Sequence, residues 1–231
     1  MLFLGNPIGL MVVIPALLFT LYAQSRVSGA YAKFSRIAAA RGFTGAQVAS
    51  QLLQDAGIDH VRVEQTRGTL TDHYDPRKKV VRLSPQVYGG SSLAAIGIAA
   101  HEVGHAIQHD QFFAPLAIRN ALFPLASLGS QLAMPLFFIG LFFAGFDFLM
   151  DVGIAVFLFA VLFQALTLPV EFNASSRALH LLDEGGFLVG KELAGAKQVL
   201  NAAALTYVAA MAVALTQLFR LLILRNSSSR R

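Results

Sequence analysis

Val152-Gly-Ile-Ala-Val-Phe-Leu-Phe-Ala-Val-Leu-Phe-Gln-Ala-Leu-Thr-Leu-Pro-Val170 runs for nineteen residues without Asp, Glu, Lys or Arg, between Asp151 and Glu171. A helix advances about 1.5 Å per residue, so about 20 mainly apolar residues cross the roughly 30 Å hydrocarbon core of a bilayer. Three further uncharged stretches occupy 1–25, 120–146 and 198–219. The last is Ala-rich and milder, and its hydrophobic character continues to Leu224. The pattern predicts a mainly α membrane protein with about four transmembrane helices.

Composition agrees. The 231-residue chain is 55% hydrophobic and 13% charged, with mean hydropathy +0.60. Soluble domains carry about 25% charged residues, so this much apolar surface calls for lipid as a partner. The net charge of +5 comes from scattered bases, as expected of residues flanking a bilayer. No nucleic-acid partner is expected. With no Cys in the sequence, neither disulfides nor thiolate metal ligands are possible. The first residues, Met-Leu-Phe-Leu-Gly-Asn-Pro7, lack the basic side chain of a signal peptide, so residues 1–25 read as a retained anchor.

The main polar segment runs from Arg26 to Arg119. Thr44 and Gln47 form a capping box opening an amphipathic helix that Gly57 stops. Two strand-like runs follow, His60–Glu64 and Lys79–Leu83, with turn chemistry at Asp75-Pro76-Arg77 between them. The strand at Lys79–Leu83 is a candidate for pairing with an extended substrate, the alternative being an ordinary half-buried strand. The run Asp72-His73-Tyr74-Asp75 near it is a candidate for touching substrate or regulating the site, although its turn-like composition fits a plain loop equally well. Ser91 or Ser92 then caps a helix continuing through His109.

That helix contains His101-Glu102-Val-Gly-His105. Residues i and i+4 share a helix face, about 6 Å apart along the axis, so both imidazoles can converge on one zinc ion. Glu102 sits beside the ion and can take a proton from its water. The alternative is a metal-free pair of histidines on a polar face. His109 shares that face but lies about 12 Å along the axis from His101, too far for the same ion. Glu171 is the third-ligand candidate. A carboxylate at a membrane exit can simply mark the boundary. However, 120–146 and 152–170 form a pair of crossings, which returns the chain to the side it left, so coordination by Glu171 is possible.

Leu70-Thr-Asp-His-Tyr-Asp-Pro76, Ala99-Ala-His-Glu-Val-Gly-His-Ala-Ile-Gln-His109, Leu168-Pro-Val-Glu-Phe-Asn-Ala-Ser175 and Leu200-Asn-Ala-Ala-Ala-Leu-Thr-Tyr-Val208 together resemble the membrane-bound neutral zinc metallopeptidase family (YugP-like). The resemblance covers essentially the whole chain. More distantly the chain is similar to the membrane gluzincins, whose third ligand is the Glu of a Glu-x-x-Ala-Asp segment. That segment maps onto Glu171 and Ala174, but Ser175 stands where the Asp would be. The resemblance implies a small α+β gluzincin-like catalytic domain holding one zinc ion per chain on His101, His105 and Glu171. It also implies Glu102 as general base and a polypeptide substrate, with no specific oligomeric state. His73, Tyr74, Arg177, His180 and Tyr207 are candidates for a second oxyanion donor, with His180 ranked first.

The expected organisation is an anchor at 1–25, a catalytic segment at 26–119 and a transmembrane hairpin at 120–170. A third-ligand helix at 171–197, a hydrophobic helix at 198–224 and a basic tail at 225–231 complete it. Arg26, Lys33 and Arg36 beside the first anchor point the catalytic face of this multi-pass cell-membrane protein towards the cytoplasm. The arginine-rich tail then lies outside if the fourth stretch spans. Either that stretch does not cross or the catalytic face is extracytoplasmic. A non-catalytic, zinc-stabilised membrane scaffold or chaperone is the rival reading. A cation carrier would need ionisable residues inside the spans, and none of the four stretches has them.

Overall fold

The computed structural model describes residues 7–143 and 145–228. The elements are α1 (Pro7–Phe34), α2 (Gly45–Asp55), β1 (Arg62–Gln65), β2 (His73–Asp75), β3 (Val80–Leu83) and α3 (Pro85–Tyr88). They continue with α4 (Leu93–Asp110), α5 (Ala114–Phe142), α6 (Phe148–Glu184) and α7 (Lys191–Ser228). Residues 1–6 of the expected anchor lie outside the described residues.

The chain divides into two compact units. One comprises Met1–Ala23, Ala117–Leu168 and Thr206–Arg231. Phe137, Met150 and Leu221 are fully buried within it. Many of its other large apolar side chains face outward, among them Leu18, Phe123, Leu132, Leu162 and Phe219. In water such a surface would drive aggregation; against lipid it is stable. Among the described residues, α5, α6 and α7 are each long and apolar enough to cross a membrane. Their internal prolines, Pro124 and Pro135 in α5 and Pro169 in α6, are of a kind that membrane helices tolerate.

The other unit comprises Gln24–Leu116 and Pro169–Leu205. Its core is built from Val48 and Leu52 of α2, Leu83 of β3, Ile96, Ala100 and Val103 of α4, Ala178 and Leu182 of α6, and Leu200 of α7. Local signals behave as the residues dictate. Thr44 Oγ1 accepts from the Gln47 N–H at 3.3 Å while Gln47 Oε1 accepts from the Thr44 N–H at 2.9 Å. Gly57 ends α2 with φ +71°, a left-handed conformation suited to a residue without Cβ. Ser92 caps α4, its hydroxyl accepting from the Ala95 N–H at 3.2 Å.

The small sheet departs from expectation in two ways. It has three strands in the order β1-β3-β2, with β1 parallel and β2 antiparallel to β3. The Asp72–Asp75 run, loop-like in composition, contributes β2. Tertiary partners hold it there: Asp72 accepts from the Ser84 N–H and hydroxyl at 2.7 and 3.0 Å, and Arg82 pairs with Asp75 at 3.0 Å across β2 and β3. The turn after Asp75 forms as its chemistry dictates, with Asp75 Oδ1 accepting from the Arg77 and Lys78 N–H groups. The second departure corrects the substrate-pairing expectation. β3 is the central strand with both edges occupied, so it has no free edge to offer an added strand. The sheet edges belong to β1 and β2.

Candidate metal centre

On α4 the rings of His101 and His105 meet edge to face, with centroids 4.7 Å apart. Glu171 approaches both from α6: its Oε2 lies 3.3 Å from His101 Nε2 and 3.5 Å from His105 Nε2. The three donor atoms fall within 4.8 Å of one another. Glu171 is 4% exposed, and its Oε2 is buried without a hydrogen bond of acceptable geometry. A buried carboxylate oxygen without such a bond, facing two ring nitrogens, is costly unless something cationic sits among them.

The donor set fits zinc. In a tetrahedral site with bonds of about 2.0–2.1 Å, neighbouring donors stand about 3.3–3.4 Å apart, close to both nitrogen–oxygen distances here. Two nitrogens and one oxygen leave a fourth position for water or substrate. Both imidazoles are partly exposed, so that position is reachable.

The far nitrogens of both rings are also held. His101 Nδ1 lies 3.1 Å from Ser175 Oγ, and His105 Nδ1 lies 3.0 Å from Gln108 Oε1. Ser175 thus holds the far side of the His101 ring itself. Burial alone would lower the His105 pKa, but the Glu171 carboxylate and the charge of Glu102 outweigh it and raise the value. Glu102 is itself buried, one residue past His101.

Two helices must pass very closely for this arrangement. Glu171, Ala174, Ser175, Ala178 and Leu182 form the buried stripe of α6. Where α4 crosses that stripe, a Cβ on Gly104 would lie 2.6 Å from the Ala174 carbonyl oxygen. Gly104 therefore sets the interhelical distance that brings Glu171 to the histidines. Gly104→Ala is expected to cost about 1–3 kcal/mol through overpacking and to weaken zinc binding as the helices separate. Thermal melting and zinc content per chain read both effects. A variant matching the unsubstituted protein in both would show that the contact does not set the site.

His180, ranked first as a second oxyanion donor, is not brought to the group. Nine residues beyond Glu171 at about 100° each place it on the opposite face of α6. Its ring is largely exposed, 3.2 Å from Glu184 Oε2. Arg177 donates to Asn173 Oδ1 at 2.8 Å and to Gln111 Oε1 at 2.7 Å. His73 bonds the Thr71 carbonyl through Nδ1, and Tyr207 is half-buried on α7. Tyr74 reaches α4, with its hydroxyl 2.9 Å from His109 Nδ1. Burial pushes the Tyr74 pKa up to about 12, and the charges of Asp110 and Asp75 add to the shift. At neutral pH it remains a hydroxyl able to donate to His109. Gln108 and Gly104 escaped the sequence reading. Gly104 carries a signal in hindsight, being a glycine inside a helix flanked by two candidate ligands.

Fold and site together define a helical protein with apolar helices of membrane-crossing length and a buried two-histidine, one-glutamate centre suited to zinc. The chain belongs to the neutral zinc metallopeptidase family, described as "Putative neutral zinc metallopeptidase", whose profile matches residues 9–226. It is 48% identical over 207 residues to the "Putative membrane protease YugP" of Bacillus subtilis (strain 168), covering 90% of this chain and 92% of that protein. No solved structure matches.

Proposed function

We propose that the protein is an integral-membrane zinc endopeptidase acting on membrane or membrane-proximal polypeptides. His101, His105 and Glu171 hold the metal and Glu102 is the general base. The observation that carries this reading is the convergence of two imidazoles and a buried carboxylate on one point. The segments 26–119 and 171–197 supply the catalytic unit, gluzincin-like in its ligand order. α1 makes a fourth crossing beside α5, α6 and α7, and the basic residues Arg26, Lys33 and Arg36 hold the catalytic face on the cytoplasmic side.

Zinc, when bound, supplies a Lewis acid that makes water nucleophilic near neutral pH and polarises the scissile carbonyl. The protein's own groups do the rest. The Glu102 carboxylate removes a proton from the attacking water, then returns it to the leaving amine as the C–N bond breaks. Ser175 and Gln108 hold the two rings by Nδ1, leaving Nε2 of each beside the Glu171 carboxylate, where both would be free to hold zinc. The apolar core around α4 keeps the ligands from rearranging.

Purified protein in detergent micelles is expected to carry about one zinc per chain. Cleavage of an unfolded protein should fall to background on chelation and return when zinc is restored. Stoichiometric zinc with no cleavage of any unfolded or membrane-embedded substrate would instead favour a scaffold.

A further inference from the structure

Gln108 is 0% exposed, and its amide is fully used. Its Nε2 donates to the Val170 carbonyl at 2.8 Å and to Asn173 Oδ1 at 2.9 Å, while Oε1 faces His105 Nδ1 at 3.0 Å. The polarity of these bonds is fixed from outside. A backbone carbonyl only accepts, and a guanidinium only donates. Arg177 Nε donates to Asn173 Oδ1 at 2.8 Å, so that oxygen is an acceptor. Gln108 thus meets two acceptors on one side. A flipped amide would set its own oxygen against both of them, unpaired and buried, at a cost of about 1–3 kcal/mol per lost bond. Oε1 must therefore face His105, and His105 Nδ1 must carry hydrogen. The ring's other nitrogen is then the one presented beside Glu171.

His101 is held differently. The Ser175 hydroxyl at its Nδ1 can donate or accept, so nothing in that bond selects a tautomer.

We infer that Arg177, Asn173 and Gln108 form a positioning relay that presets His105, but not His101, in the tautomer able to bind metal. The relay rests on the reading of His101, His105 and Glu171 as a zinc site. It also gives Arg177 a role: at the far end, its permanent donors fix the Asn173 oxygen as an acceptor, and this adds to the Val170 carbonyl, which can only accept. Because Val170 and Asn173 flank Glu171 on α6, the same bonds hold the third ligand in register with His105.

The test uses full-length protein in micelles, with zinc affinity measured by chelator competition and the visible spectrum of the cobalt-substituted form. Gln108→Leu is expected to weaken zinc binding about 10–100-fold and to change the cobalt bands. Asn173→Leu should act in the same direction. Asn173→Asp, which keeps an oxygen acceptor for both donors, should stay close to the unsubstituted protein. If Gln108→Leu fails to fold, the contrast between Asn173→Leu and Asn173→Asp at that half-buried position decides. Lower melting temperatures with unchanged affinity and cobalt spectra would overturn the relay and leave the zinc site standing. An unsubstituted protein that binds neither metal would overturn the site itself.

Discussion

Replacing Glu102 with Gln is expected to lower kcat about 10²–10⁴-fold, the usual contribution of a positioned acid–base group, while about one zinc per chain is retained. The substitution keeps the side chain's shape in its buried place on α4 and removes only its ability to carry a proton. Glu102 is not among the three converging donors, so metal binding should persist. The measurement pairs metal content with single-turnover cleavage of an unfolded protein. Undiminished cleavage by a zinc-loaded variant would remove Glu102 from the mechanism.

Glu171→Ala should have the larger effect on the metal. It deletes one of three ligands, so zinc affinity is expected to fall by more than the roughly 100-fold that loss of an outer hydrogen-bond partner costs. Activity should disappear with the metal. Stability separates this from simple misfolding. A ligand that binds only the folded state raises stability by RT ln(1 + [L]/Kd), so zinc should raise the melting temperature of the unsubstituted protein and barely move that of Glu171→Ala. Equal zinc-induced shifts in both proteins would show that Glu171 is not a ligand.

What could be read from sequence was what short-range chemistry decides. The Thr44–Gln47 box, the Gly57 stop, the Ser92 cap and the His101/His105 spacing depend on residues at most four apart, and each has a mechanism that works without knowledge of the rest. Glu171 needed one further step, pairing two uncharged stretches so that a distant carboxylate could come back beside the histidines, where it lies. The remainder depended on tertiary partners. β2 exists because Asp72 finds Ser84 and Arg82 finds Asp75, and a three-residue strand of His, Tyr and Asp has no local pattern to announce it. Gln108 looked like an ordinary polar residue near the end of a helix, since its partners Val170 and Asn173 lie over sixty residues away in sequence. His180 lies apart from the group for the opposite reason. Proximity in sequence to Glu171 suggested proximity in space, whereas half-integral helical turns put it on the reverse face.

The separation of the donors along the chain has a consequence for biosynthesis. A ribosome delivers His101 and His105 first, and Glu171 follows only after α5 and most of the apolar part of α6 have been made. Under the proposed function, a nascent chain that has exposed its histidine helix still lacks the carboxylate and cannot yet cut its neighbours. Hydrolytic competence then arrives only once the two apolar passages have been synthesised, a delay written into the order of translation.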